Sequence, residues 1–503
     1  MLRIAVFFPM ILAAPPLLNS SFGCNNSLQQ WWRSPQRSHR MKMQAVPVIV
    51  VAACLTAGVT AQAAEPRTAK AIFDRATQVA AGAETWPGFD FRRYAALTTD
   101  GTSGAGSVRF SNATGDKDRQ LFMVVTDEYY GSHSLEEDLS ITFHEAFHGF
   151  QRDPARPGAR WGAENALLVF DYGEASPRNA ALFRIESRAL LAALEAGDPD
   201  GVRRHVREFL AVRRLRQGEL DARLVAFEKG AESNEGLAEY AGEKGVLAAM
   251  QAVRDKKLGL TLETLDPRER VARKYGKLRT VTELGKNPRL RFYYTGSAQA
   301  FLLDRLLPAW KDRVQTKAAV LQDLLAEAVG SEGVTIALAE AALRRQGYDA
   351  VLKEEEALAV RRRSEAQALL DSILTKAGRR CTLDLMAVGG MGKVGSFDPM
   401  NVTSLGQRRI HTRMLNVSED GRFKAEFSQP VVQDFEHKTY DAVIPAGEKL
   451  TVTVDGAPLD LSKPSEQRFE KKLTVSAPRL TMDAADGTVT VTDRGLVIRL
   501  AKK

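Results

Sequence analysis

Near residues 377–380 the hydrophobic pattern changes from helical spacing to strand spacing, and this switch constrains the fold more than any other feature of the chain. Upstream, residues 180–196 and 201–216 read as helices separated by Gly197-Asp198-Pro199-Asp200. The second has Leu210, Val212 and Leu215 as its apolar points, which turns its arginines outward. Residues 217–241 read as one long helix or two, with Glu228 and Glu232 on a solvated face, and helical spacing resumes from 292 to 376. Downstream, residues 382–388, 409–417, 422–427, 449–454, 472–476 and 488–500 favour strands, with turns at Asp420-Gly421, Asp455-Gly456 and Asp486-Gly487. The expected class is α+β, a mostly helical domain over 64–378 followed by an all-β, sandwich-like accessory domain over 379–503. A chain of 503 residues needs more than one core, and a hydrophobic fraction of 44% can fill them.

The N-terminus is set apart from both domains. Lys42 opens a short basic region, residues 45–59 are apolar, and Ala61-Gln62-Ala63 supplies an A-x-A cleavage site. Residues 41–63 are therefore expected to be a signal peptide that exports the chain to the periplasm or beyond. Residues 1–40 then read as an over-extended start, with a second apolar anchor as the alternative. Val51-Ala52-Ala53-Cys54 resembles a lipobox, but the residues after Cys54 stay apolar, which ranks a lipoprotein second. Without residues 1–63, which carry five basic side chains and no acidic one, the net charge falls from +8 to +3. Nothing in that balance calls for a nucleic-acid partner. Cys381 is the single cysteine beyond residue 63, so no internal disulfide is expected there, and its apolar neighbours predict a buried thiol.

Chemistry concentrates in His144-Glu145-Ala146-Phe147-His148, on a helix that Ser134 is placed to cap. Histidines four apart project from one helical face and can grip one Zn²⁺, with Glu145 beside them to take a proton from water. Histidine is scarce, seven in the whole chain, which sharpens the signal. A hydrolytic zinc site takes three protein ligands and leaves one position to water. No third histidine follows closely, since the sequence continues GFQRDPARPG, so a carboxylate must serve. By spacing alone Glu235, Glu232 and Glu186 all remain open.

Asn234-Glu235-Gly236-Leu237-Ala238-Glu239-Tyr240 resembles the N-E-G-x-A-x-Y stretch of gluzincin zinc metallopeptidases, a group that includes the thermolysin-like and aminopeptidase-N-like enzymes. The resemblance implies a thermolysin-like peptidase domain. It assigns the third ligand to Glu235 and gives Glu239 the part of an acid that orients a ligand histidine. Tyr293-Tyr294-Thr295-Gly296, followed by an apolar helix, is similar to the Y-x-x-G helix start of the same enzymes, which implies an oxyanion donor at Tyr293, with Tyr294 as the alternative. In motif order the likeness covers residues 105–310. Two departures stand out. The spacer between His148 and Glu235 is long enough for two inserted helices, and no G-x-M-E-N signature for a free amino terminus precedes the histidines. The strand at 120–127 is expected to be an edge that pairs with an extended substrate. The resulting expectation is zinc-dependent hydrolysis of a peptide or protein, with association with the cell surface or envelope open. An inactive binding or adhesion protein and a zinc hydrolase of a non-peptide amide are the rival classes. The intact Glu145 argues against the first.

Overall fold

The computed structural model describes residues 68–93, 133–153, 158, 160–173, 176–262, 266–280, 288–398 and 401–502, together with three short strands, Leu97–Thr98, Ser107–Arg109 and Val124–Thr126. The three strands form an antiparallel sheet, with Ser107 opposite Thr126. The leader expected over 1–63, the segment at 112–118 and most of the edge strand expected at 120–127 lie outside the described residues. Among those described, no helix is long and apolar enough to cross a membrane.

The helical part contains α1 (Ala69–Ala80), α2 (Leu135–Arg152), α3 (Val169–Gly173), α4 (Pro177–Glu195), α5 (Pro199–Gln217), α6 (Ala222–Ala231), α7 (Leu237–Arg254), α8 (Pro267–Tyr275) and α9 (Arg289–Leu306). It closes with α10 (Trp310–Lys317), α11 (Leu321–Val329), α12 (Ile336–Arg345) and the long α13 (Tyr348–Leu374). Helix α2 starts where Ser134 and Glu137 form a reciprocal capping box, the Ser134 hydroxyl accepting from the Glu137 N–H and the Glu137 carboxylate from the Ser134 N–H. One of its faces carries Phe143, Phe147 and Phe150, which pack against Phe91, Trp86 and Phe89 with ring centroids 4.8, 5.2 and 5.6 Å apart. That cluster anchors α2 from one side. From the other, α7 lies against it backbone to backbone, since a Cβ on Gly242 would come within 2.6 Å of the Ser140 carbonyl oxygen.

Two expectations about charge are overturned. Arg213 and Arg216 of α5 point inward, and Glu228 and Glu232 are buried instead of solvated. The reason is mutual neutralisation across helices. Arg213 reaches Glu232 at 2.8 Å and Glu186 of α4 at 3.0 Å, and Arg216 reaches Glu186 at 2.8 Å and Glu228 at 2.5 Å. Tyr172 adds its hydroxyl to Glu228. Buried charges persist only when paired and hydrogen-bonded, as Arg213, Arg216, Glu186, Glu228 and Glu232 are. The long helical stretch after residue 217 resolves into α6 and α7 joined by a π-helical turn, Glu232–Gly236.

Helix α13 ends at Leu374 and the first strand of the β-rich part opens at Gly378. One sheet runs, in spatial order, Ser465–Phe469, Gly487–Thr492, Gly495–Leu500, Gly378–Asp384, Thr439–Pro445, Val431–Asp434, Arg408–His411 and Val402–Leu405. Its strands pair antiparallel except where Gly495–Leu500 meets Gly378–Asp384. The second runs Ala457–Pro458, Thr451–Val454, Leu473–Ala477, Leu480–Ala484, Phe423–Phe427, Leu415–Glu419 and Lys393–Phe397. Alternating inward residues of both sheets, such as Leu415, Val417, Val475, Val489 and Ile498, form one shared core, separate from the helical one. The single strand expected over 409–417 is two strands belonging to different sheets. That over 488–500 is a hairpin. At Asp455-Gly456 both residues take positive φ, 51° and 89°, the conformation a two-residue hairpin turn needs. Cys381 is buried on its strand, and burial together with Asp441 pushes its thiol up to about 12. The two parts meet where Phe170 of α3 packs on Phe397 and His411, and where Leu370 and Ile373 of α13 pack on Ile410 and Val432.

Candidate metal centre

His144 and His148 lie one turn apart on the face of α2 next to its phenylalanines, and α7 brings the π-turn over them. His144 Nε2 stands 3.3 Å from Glu235 Oε2 and His148 Nε2 stands 3.1 Å from the same oxygen. The three ligand atoms lie within 4.8 Å of one another, and all three residues are buried. Atoms bound at about 2.0–2.1 Å around a tetrahedral zinc are separated by about 3.3–3.4 Å, so these spacings are close to edges of such a polyhedron. His144 Nε2 has no hydrogen-bond partner among the described residues, since its approach to Glu235 lacks hydrogen-bond direction. A buried nitrogen left unsatisfied by protein atoms and aimed at a carboxylate fits a metal ligand. Two nitrogens and one oxygen are a donor set that suits zinc.

The outer nitrogens are also held. His144 Nδ1 faces Glu239 Oε2 at 3.2 Å, and His148 Nδ1 faces Gln151 Oε1 at 2.7 Å. Gln151 in turn donates to the Ser233 and Asn234 carbonyls at 3.1 and 2.9 Å, tying α2 to the π-turn. Both rings therefore have Nδ1 engaged and Nε2 directed inward, the orientation a metal requires. Burial works against charge on His144, but Glu235 and Glu239, with Glu145 nearby, outweigh it and hold the metal-free imidazole up to about 10. Burial likewise opposes charge on Glu239, yet Lys274, 2.6 Å away, and His144 bring it down to about 2. Glu145 is half-buried between the histidines, and its carboxylate is hydrogen-bonded to none of the described residues.

Glu235 lies within the π-turn, whose extra residue widens the helix where α9 crosses. A Cβ on Gly236 would come 2.6 Å from Gly296 Cα, so the two glycines let α9 and the π-turn touch. From α9, the Tyr293 ring stacks on His144 at 5.6 Å and 11°. Tyr294, about 100° further round the helix, faces Tyr275 instead. The tyrosine motif does not begin a helix, because α9 starts earlier, at Arg289. That extra turn puts Arg289 on the same face as Tyr293. Burial, offset by Arg289 and reinforced by Glu235, keeps the Tyr293 phenol protonated far above the ordinary tyrosine range.

Of the carboxylates left open by spacing, only Glu235 reaches both histidines. Glu186 is taken by Arg213 and Arg216, and Glu232 by Arg213 and the Thr295 hydroxyl. The Tyr240 hydroxyl turns away to Asp304. Sequence reasoning missed Gln151, Arg289, Glu164 and Lys274. Gln151 lies three residues after His148 and Arg289 four before Tyr293, so helical spacing carried a signal for both. Glu164 and Lys274 come from a loop and from α8, and no local pattern marks them. Comparison of the chain with protein-family models, with curated proteins and with solved structures returns no match.

Proposed function

We propose that this chain is a zinc-dependent hydrolase of peptide bonds with a gluzincin-like site, exported by its leader and acting on peptide or protein substrates. The observation that supports it most is the convergence of His144 Nε2, His148 Nε2 and Glu235 Oε2 within 4.8 Å of one another, with the carboxylate of Glu145 close enough to act on His144. A zinc ion, when bound, acts as a Lewis acid and lowers the pKa of a water ligand to about 7. His144, His148 and Glu235 would hold it. Glu145 takes the proton of the attacking water and later delivers it to the departing amine nitrogen, which breaks the C–N bond without leaving charge on nitrogen. Tyr293, kept protonated by burial, donates a hydrogen bond to the carbonyl oxygen as that oxygen gains negative charge. Glu239 and Gln151 keep the two imidazoles in the tautomer that presents Nε2.

The test is metal content and casein cleavage of the purified protein beside Glu145→Ala. The expected result is about one zinc per chain in both, with cleavage in the wild type alone. Zinc without cleavage of any peptide would refute peptide hydrolysis and favour a binding protein or a narrow amidase. Absence of zinc binding would refute the metal centre itself.

A further inference from the structure

The two oxygens of Glu235 have different surroundings. Oε2 faces both histidines, whereas Oε1 accepts hydrogen bonds from Arg289 Nη2 at 2.6 Å and from Asn234 Nδ2 at 3.0 Å. Arg289 is itself fixed on every side. Its Nε and Nη2 reach the Glu164 carboxylate at 2.6 and 2.7 Å, and its Nη1 donates to the Tyr293 hydroxyl oxygen at 3.0 Å. Arg289, Glu164 and Glu235 are all more than nine-tenths buried. A planar guanidinium bonded this way cannot turn without abandoning a buried carboxylate, which costs far more than the bond itself.

We propose that Arg289 is a positioning residue that confines Glu235 to one-oxygen metal ligation and holds Tyr293 in register with it. A free carboxylate beside a divalent ion can close onto it with both oxygens, raising the coordination number and occupying the place a water needs. Arg289 and Asn234 oppose that by keeping Oε1 engaged. The same guanidinium accepts no hydrogen bond, so the oxygen of Tyr293 receives from Arg289 while its proton is directed toward Glu235, which keeps the phenol at the edge of the site. Glu164 balances the cation, which leaves Glu235 its full charge for the metal. Lysine could replace the charge but not the fork that spans Glu164, Glu235 and Tyr293 together.

This inference rests on the metal-centre reading, and Co²⁺ separates the two without any assay of activity. Visible absorption of Co²⁺ added to the metal-free full chain is intense for four-coordinate geometry and weak for higher coordination. The wild type is expected to give the intense spectrum. Arg289→Met and Arg289→Lys are expected to give a weaker, blue-shifted one, with affinity lowered about 10- to 100-fold. Asn234→Ala, which removes one donor to Oε1 and leaves the charges intact, should shift the spectrum the same way by less. It keeps the question answerable if Arg289→Met does not fold. Variants that fold and bind Co²⁺ with the wild-type spectrum and affinity would overturn the role of Arg289 and leave the metal centre standing. A wild type that binds neither Co²⁺ nor Zn²⁺ would overturn both.

Discussion

Replacing Gly296 by alanine isolates the close approach that assembles the site. Its Cβ would lie 2.5 Å from the Glu232 carbonyl oxygen and 2.9 Å from Gly236 Cα, both of them backbone atoms. Non-bonded heavy atoms are most comfortable at about 3.5–4.0 Å, so α9 and the π-turn must separate by about 1 Å. Overpacking of this kind costs about 1–3 kcal/mol, with the upper half expected because no flexible side chain can yield. Alanine recovers about 1 kcal/mol of helix propensity, which leaves a net loss of about 1–2 kcal/mol. For a unit of this size that is a drop of about 2–8 °C in melting temperature. Tryptophan fluorescence is the suitable probe. Beyond residue 63 the chain has Trp86, Trp161 and Trp310, all buried in the helical core, so the β-rich part is silent. Gly276→Ala is the control, since nothing lies within 4 Å of its Cβ position, and it should be neutral or slightly stabilising. Zinc affinity should fall in Gly296→Ala as well, because the same shift parts Arg289 from Glu235. A Gly296→Ala protein that melts at or above the wild-type temperature would refute the argument, as would an equal loss in the control.

Two further perturbations probe the scaffold. Arg213→Met leaves Glu186 and Glu232 short of their shared cation in a buried setting and should cost about 3–5 kcal/mol in urea unfolding. Adding Glu232→Gln should return part of that loss. Burial, only partly countered by Gln433 and added to by Arg409, holds His411 down to about 4 from 6.5. The unfolded chain therefore takes up a proton that the folded one resists. The contribution is full above pH 6.5 and declines as pH falls toward 4, by about 3 kcal/mol if the shift is complete. Denaturation midpoints of wild type and His411→Asn at pH 7, 5.5 and 4 test it, and parallel trends would refute it.

The parts of this molecule that were legible in advance are those fixed by neighbours along the chain. Ser134 and Glu137 are three residues apart, His144 and His148 four, and Asp455-Gly456 adjacent, so elementary periodicity and turn chemistry reach them. The helix-to-strand switch is local in the same sense. What escaped was set by partners distant in sequence. Arg213 looked solvated because arginine usually is, and only its approach to Glu186, from another helix, makes burial tolerable. Strand breaks such as Thr412-Arg413-Met414 depend on which sheet each half joins, which composition does not encode.

The π-turn draws these two kinds of information together. Its first residue, Glu232, is bound from α5 by Arg213 and from α9 by Thr295, and its fourth, Glu235, is bound by Arg289 and faces the histidines of α2. A regular α-helix through the same residues would rotate Glu235 by about 100° relative to Glu232 for each residue gained or lost, and could not satisfy both sets of partners. The buried charges beneath the site thus have a task beyond their own pairing. They bind the helical irregularity at both ends, and the orientation of the Glu235 carboxylate goes with it. The sequence N-E-G marks the place, but only the surrounding helices determine which way its carboxylate points.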